Sequence, residues 1–254
     1  MKRVLLFFVA VMTLSSCHQD FLNIDRGNGV SVTTALDVDG FNSISIPDFV
    51  DVRFSQALGD ETSVSLTCDE NLVDCYKIRV KEGALVVETR SHIILKPKVT
   101  TYVTVSAPVL NSLKLSGSGD CLITGDLTVD GDFSCKTSGS GDISMDDTLS
   151  CVNFTASASG SGDIFFSGIQ AQTSEFKTSG SGNLRCDELT SDEIHVTTTG
   201  SGNITLTLKD SGNIYAKTTG SGDIILKGVA TSIKNMTSSG SGKIDISHLI
   251  LSGN

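Results

Sequence analysis

The chain has 254 residues, of which 29 are acidic and 19 are basic, so its formal net charge is −10 at pH 7. This charge argues against a nucleic-acid binder, because affinity for a phosphate backbone rests on clustered lysine and arginine side chains. Hydrophobic residues make up 39% of the chain, which is typical of an ordered body, and the length fits one elongated domain or two compact ones.

The first 16 residues have the composition of an export signal. Lys2 and Arg3 precede an apolar stretch, residues 4–14, that is short for a bilayer span, and Leu14-Ser15-Ser16-Cys17 follows. This segment resembles a bacterial lipoprotein signal with its lipobox. The resemblance implies removal of residues 1–16, a lipid such as palmitate on Cys17, and an outer-membrane location whose periplasmic or external side is left open. An ordinary secretory peptide with an incidental cysteine is the alternative.

Residues 17–36 are predicted to be the lipidated cysteine and a polar tether. No later apolar run approaches the roughly 18 residues that a membrane span needs. The membrane is therefore expected to be a partner only through the lipid.

Six cysteines follow Cys17. An exported compartment permits disulfides, and Cys68 and Cys75 are close enough in sequence to close a short loop, but the sequence does not decide whether they are bridged. The other cysteines have no metal-binding spacing, so we expect no metal centre and no cofactor. Three of them stand where other repeats place Ile, Phe or Leu, which predicts buried positions: Cys121, Cys135 and Cys186.

The second half of the chain is an internal repeat. The tripeptide Gly-Ser-Gly recurs at intervals of 22, 21 and then 20 residues, beginning at Gly117, Gly139, Gly160, Gly180, Gly200, Gly220 and Gly240. A fixed period of this size is typical of a solenoid, in which each unit buries its apolar face against its neighbours.

Alignment of the repeats on the first glycine gives apolar columns. The positions four before and four and six after this glycine are apolar in every repeat, as at Val196, Ile204 and Leu206. This alternation indicates β-strands on both sides of a glycine corner. A third apolar position follows, with Lys209 as the exception in its register, so each repeat is predicted to form one coil of a parallel β-helix.

Gly200-Ser201-Gly202-Asn203-Ile204 and Gly220-Ser221-Gly222-Asp223-Ile224 resemble the repeat of the GIN-domain family, the putative auto-transporter adhesin heads. Residues 41–54 and the elements Asp69-Glu70-Asn71-Leu72 and Glu82-Gly83-Ala84-Leu85 are similar to that family's entry region. The resemblance covers residues 37–254. It implies an all-β, right-handed parallel β-helix on exported bacterial proteins, and it brings no catalytic residues.

Within this single domain, residues 37–110 are predicted to be irregular early coils and a cap, and residues 111–254 the regular repeats. A cap is needed because a solenoid end exposes unpaired backbone groups. The opposite end, residues 248–254, is short and apolar, so we expect another molecule to cover it, such as a second copy of the chain.

Two outward columns are candidate sites. Asp120, Asp142 and Asp163 follow successive corners and either attract a hard cation such as Ca²⁺ or hydrogen-bond the corner backbone, and the second interpretation is favoured. The other column places Glu175, His195 and Tyr215 on successive coils. It is a candidate binding column, or an exposed column whose composition is incidental.

Two function classes follow from these patterns. The favoured one is a non-enzymatic envelope lipoprotein whose β-helical surface binds a surface protein or glycan, in adhesion for example. The alternative is a polysaccharide lyase or hydrolase on a β-helix scaffold. A lyase needs cationic groups, but Arg185 is the only arginine after Gly117. A hydrolase needs paired carboxylates, and the adjacent Asp146 and Asp147 are expected to point to opposite faces of a strand.

Overall fold

The computed structural model describes residues 23–253, so the signal segment and Cys17 lie outside the described residues. One short 3₁₀ helix, Glu70–Cys75, accompanies twenty strands numbered in chain order. The strands are β1 (Asn23–Arg26), β2 (Ser31–Leu36), β3 (Ser43–Ile46), β4 (Asp51–Gln56), β5 (Ser63–Asp69), β6 (Tyr76–Lys81), β7 (Ala84–Thr89), β8 (Ile93–Lys96), β9 (Tyr102–Ala107), β10 (Ser112–Leu115), β11 (Cys121–Thr124), β12 (Leu127–Thr128), β13 (Asp132–Thr137), β14 (Ile143–Ser150), β15 (Asn153–Ala158), β16 (Ile164–Thr178), β17 (Leu184–Thr198), β18 (Ile204–Thr218), β19 (Ile224–Ser238) and β20 (Ile244–Leu251).

The regular repeats form a parallel stack in which each coil pairs with the next. The register joins Leu184 to Ile204 and Ile204 to Ile224, so equivalent positions of successive repeats lie side by side. Strands β16 to β19 each cover a whole coil between two corners. The predicted parallel β-helix with coils of about 20 residues is confirmed.

The apolar columns form the core of the stack. Ile204, Leu206 and Val196 have no solvent exposure, and aromatic rings pack together in the first regular repeats. The ring of Phe154 lies 5.2 Å from that of Phe166 and 5.3 Å from that of Phe176, centroid to centroid. Cys121, Cys135 and Cys186 are buried among these residues, as predicted.

The Gly-Ser-Gly corners stack so closely that a side chain cannot be added. A Cβ atom on Gly202 would lie 2.0 Å from the carbonyl oxygen of Gly182 in the previous coil. The N–H groups of Ser201 and Gly202 both donate to the carbonyl oxygen of Gly180, at 2.9 and 3.1 Å. Glycine is therefore required here by close approach of the backbones.

One column departs from the predicted register. The third inward position of its coil is taken by Leu208, which pairs with Leu189, and Lys209 points outward to form an ion pair with Glu188. The pairing shifts between Leu189 and Glu193, and Asp210 has a φ of 48°. Because of this bulge, Leu208 takes the inward position that the 20-residue period assigns to Lys209. The core stays apolar and the lysine ammonium remains in water.

The N-terminal end of the stack is closed by antiparallel strands. Strands β3 and β4 form the first coil, pairing with β10 and β11. Beyond it, β7 and β9 add parallel strands, and β6, β5 and β2 then pair antiparallel to β7, β9 and β5. The parallel stacking of coils stops at the antiparallel strands β2, β5 and β6, so these strands and the β7 and β9 strands they pair with form the cap.

Part of the segment predicted to be a tether belongs to this cap. Strand β1 pairs in parallel with β8, and β2 pairs with β5. The polar composition of residues 23–36 concealed these strands, because β2 lies at a sheet edge and alternates only between exposed and half-buried positions.

The C-terminal end has no comparable cover within residues 23–253. Met236, which stands in an inward column, is 46% exposed, and Ile250 and Leu251 are exposed as well. Ile244, Ile246 and Leu249 are only half-buried. The last coil therefore presents its inward side chains and an unpaired strand edge to solvent.

Candidate functional site

The structure brings the predicted column Glu175, His195 and Tyr215 into register on adjacent coils. The imidazole of His195 and the ring of Tyr215 are stacked, with centroids 4.7 Å apart and planes 3° apart. Glu175 takes no part in this stack and instead pairs with Lys177 at 2.6 Å. The column therefore presents one aromatic pair and one ion pair.

A residue that the sequence did not single out fixes the imidazole. Glu193, two residues before His195 on the same face of β17, places its Oε1 atom 2.6 Å from Nε2 of His195. Both side chains are more than two-fifths exposed. The spacing of two along a strand was the available signal, because it puts both side chains on one face. This arrangement orients the imidazole and offers a flat surface rather than an enclosed reaction site.

The aspartate column forms a hydrogen-bonded ladder. Oδ1 of Asp120 accepts the backbone N–H of Asp142 at 2.8 Å, and Oδ1 of Asp142 accepts that of Asp163 at 2.7 Å. The same bond continues through later coils to the N–H of Lys243, which donates to Asp223. Each side chain thus satisfies a corner N–H of the next coil. In the described part of the chain, no group of three or more His, Cys, Asp or Glu residues is arranged to hold a metal ion.

An acidic depression lies beside the bulge of β14. It has a volume of about 280 Å3, and both Asp146 and Asp147 line it together with Asp126 and Glu188. The prediction that Asp146 and Asp147 point to opposite faces is wrong, because the register of β14 shifts between Met145 and Thr148 and both side chains are exposed.

Three of the four carboxylates in this depression have partners. Asp147 accepts the N–H of Gly125 at 2.9 Å, Asp126 accepts that of Thr148 at 3.1 Å, and Glu188 pairs with Lys209. Of these four carboxylates, only Asp146 has neither a hydrogen bond nor an ion pair within the described residues. A glycosidase needs an acid and a second carboxylate that acts as nucleophile or base, and Asp146 and Asp147 are the adjacent carboxylates in the depression that could be tested for these roles.

Arg185 is also committed to a neighbour. Its guanidinium makes two hydrogen bonds with the carboxylate of Asp187, at 2.7 and 3.0 Å, and it lies 5.5 Å from the ring of Phe165. A bidentate pair of this kind neutralises the cation. The pair therefore reduces the positive charge that Arg185 offers to the carboxylate of an acidic sugar.

Cys68 and Cys75 are both free thiols in the structure. Cys68 Sγ donates to the carbonyl oxygen of Asp69 at 3.4 Å, and Cys75 Sγ donates to Asp25 Oδ2 at 3.8 Å. Burial, followed by the charge of Asp69, raises the pKa of Cys68 to about 11. This thiol is protonated at neutral pH.

Asp69 organises the cap. This buried carboxylate accepts the N–H groups of Gly29 at 2.6 Å, Lys98 at 2.9 Å and Val99 at 3.1 Å. It thereby ties the segment between β1 and β2 to the segment between β8 and β9. This role could not be predicted from the sequence, because the three donors come from two distant segments.

The chain belongs to a known family. The family described as "Putative auto-transporter adhesin, head GIN domain" matches residues 40–230 and 171–253. No protein in the curated set matches the chain. The resemblance inferred from the Gly-Ser-Gly repeats is thus confirmed.

Solved structures from Bacteroides and Parabacteroides species share the fold. A putative adhesin from Bacteroides fragilis is 24% identical, with a TM-score of 0.79 over 89% of this chain and 100% of its own. A putative lipid binding protein from Parabacteroides distasonis is 22% identical, with a TM-score of 0.68 over 90% of this chain and 100% of its own. A putative adhesin from Parabacteroides merdae is 19% identical, with a TM-score of 0.64 over 90% and 99%.

The family to which the chain belongs supports an adhesin-like role at the cell surface or envelope. Among the described residues there is no helix both long and apolar enough to cross a membrane.

Proposed function

We propose that the mature chain is a non-enzymatic binding protein of the cell envelope, of adhesin type, anchored in the outer membrane by a lipid on Cys17. It contacts a surface protein or glycan through its flat strand faces and uses no cofactor. The contact is centred on the His195–Tyr215 pair, with Glu175 beside it.

The stacked pair of rings is the observation that carries this proposal. Most outward positions of the regular coils hold short polar side chains, whereas these two rings form a rigid, flat surface with polar edges. Aromatic rings of this kind contribute binding area at a low cost in side-chain entropy. Catalysis needs donors and bases that converge in a concave site, and the column has no such concavity.

The binding test compares the column with another part of the same surface. The chain from residue 18 onward is passed over immobilised acidic and neutral polysaccharides and purified envelope proteins. For any probe that binds, Tyr215→Ala is expected to raise the dissociation constant about tenfold, as for a central aromatic contact. Thr205→Ala, an outward change on a neighbouring strand segment, is the matched control. Equal effects of the two substitutions would remove the column from the binding surface.

The enzymatic alternative is tested on the same polysaccharides. New reducing ends or unsaturated products are measured after prolonged incubation, and none is expected. Turnover that is abolished by Asp146→Asn or Asp147→Asn would contradict the proposal and assign the acidic depression as an active site.

The lipid anchor has its own test. Mass spectrometry of the native protein is expected to find Cys17 as the first residue with added acyl mass. A precursor that keeps residues 1–16, or a mature chain without acyl groups, would refute the anchor and leave the binding proposal to the experiments above.

We further propose that a second copy covers the last coil, end against end. A two-fold axis would pair the unpaired edge of β20 with its equivalent and bury Ile250, Leu251 and Met236. Sedimentation of the body is expected to show a dimer that Ile250→Asp converts to monomer, whereas the outward change Lys217→Asp should leave it intact. A monomer at all concentrations would refute this contact.

A further inference from the structure

Strands β1 and β8 form a two-stranded ribbon on the cap, and its outer face is both apolar and cationic. Ile24 is directly opposite Ile94, and Arg26 is directly opposite Lys96. The two isoleucine side chains are 47% and 39% exposed. Both cations are exposed as well. The name ribbon face is used below for these four residues.

The charges of the ribbon face are not balanced within the described residues. Neither Arg26 nor Lys96 forms an ion pair between residues 23 and 253. Like charges opposite each other on paired strands destabilise a ribbon, so a negatively charged partner would relieve a repulsion that the fold itself leaves in place.

The segment of the cap that contains β6, β7 and β8 is basic, although the protein as a whole is acidic. Residues 76–98 contain six basic and two acidic side chains, whereas residues 111–254 contain nine basic and sixteen acidic ones. An anionic surface would attract this basic segment and repel the coils, and so favour an orientation in which the ribbon face meets that surface.

The ribbon is held rigidly on the body. Gly27 N–H donates to the carbonyl oxygen of Lys96 at 3.0 Å, and Asn71 Nδ2 donates to that of Arg26 at 2.9 Å. Asp69, at the end of β5, holds the segments that follow the C-terminal ends of both ribbon strands, through its bonds to Gly29, Lys98 and Val99. The four side chains are therefore presented in a fixed arrangement.

We propose that the ribbon face docks the cap on an anionic phospholipid bilayer. The isoleucines enter the interface, and the two cations contact lipid phosphates, which are the charges that guanidinium and ammonium groups bind best. In the cell, this docking rests on the proposed function, because the lipid on Cys17 would bring the cap to the membrane. Five residues, 18–22, lie between Cys17 and the start of β1. The chain can therefore reach at most about 20 Å, so an acyl chain on Cys17 would hold this face next to the bilayer.

The test uses the unacylated chain from residue 18 onward, which contains every described strand, and vesicles of phosphatidylcholine with or without phosphatidylglycerol. Co-sedimentation is expected with the phosphatidylglycerol vesicles only and should weaken as salt is raised. Arg26→Gln and Lys96→Gln should each lower the partition coefficient about fivefold, and the pair together about 25-fold. Ile24→Ser with Ile94→Ser should lower it at high salt as well.

The matched control removes two cations from the regular coils. Lys217→Gln with Lys234→Gln changes the net charge equally, and circular dichroism confirms that each variant is folded. A loss as large as that of the ribbon pair would overturn the proposal, as would absence of binding at low salt. An acylated Cys17 combined with no vesicle binding would refute this inference alone, and ribbon-dependent binding with an unacylated Cys17 would refute the anchor alone.

Discussion

A Cβ atom on Gly27 would lie 2.3 Å from Cγ of Asp69. The chain between β1 and β2 can pass this buried carboxylate only as glycine, and the carboxylate in turn accepts three backbone N–H groups that join two segments of the cap. The pair fixes the ribbon on the solenoid.

The first prediction concerns acid stability. Burial raises the pKa of Asp69. The N–H groups of Val99, Gly29 and Lys98 and the charge of Lys98 lower this pKa by more than burial raises it, so it lies below its ordinary value. Its stabilising effect is complete above the unfolded pKa of about 3.9 and is lost as pH falls through the folded pKa. Asp69→Asn should therefore lower the urea midpoint at pH 7, and the difference from wild type should shrink in acid. A difference that is unchanged at pH 3 would contradict this assignment.

The second prediction concerns the corners. Gly202→Ala places a methyl group 2.0 Å from the carbonyl oxygen of Gly182, so stacked backbones must move apart. The loss in unfolding free energy should be at least about 2 kcal/mol, measured by urea denaturation. Ser201→Ala, at the exposed middle of the same corner, is the control and should change it by less than about 0.5 kcal/mol.

The third prediction compares neighbouring residues on the inward and outward sides of one strand. Ile204→Asp buries an unpaired carboxylate and should cost more than about 4 kcal/mol, whereas Thr205→Asp should be tolerated because its side chain reaches water. If Ile204→Asp does not fold, Ile204→Val supplies a measurable value of about 1 kcal/mol. Similar losses for the two aspartates would contradict the inward and outward assignment.

The fourth prediction separates the two interpretations of the aspartate column. Asp142→Ala removes the acceptor of the Asp163 N–H and should cost about 1 kcal/mol, while Asp142→Asn keeps an oxygen in place and should restore most of it. Calcium should leave the melting temperature of the wild type unchanged. A rise with calcium that Asp142→Asn abolishes would support a cation site instead.

Repetition explains how much of the fold the sequence revealed. Inward columns, corners and coil length could be predicted, because the same residue pattern recurs in every repeat. The bulge at Leu208 could not, because Lys209 fits the 20-residue period, and only the penalty for burying an ammonium group moves it outward. The pairing of β1 with β8 joins segments about 70 residues apart with no shared pattern.

The candidate site was predicted less well. Periodicity placed Glu175, His195 and Tyr215 side by side, because register follows from the repeat length. It could not show that Glu193 would hold the imidazole or that Glu175 would turn to Lys177, since such choices depend on side-chain rotamers. The depression around Asp146 arises from a single bulge, which is a departure from the period that the prediction relied on.

The two ends of the stack differ, but each inner coil pairs only with the coils on either side. Loss of one repeat, such as residues 181–200, would leave the ribbon and the last coil unchanged and would bring them about 4.8 Å closer together. Gain of one repeat would separate them by the same step. The number of Gly-Ser-Gly units therefore works as a spacer whose length changes in fixed increments, and a lineage could tune the height of its outermost coil without redesigning either end.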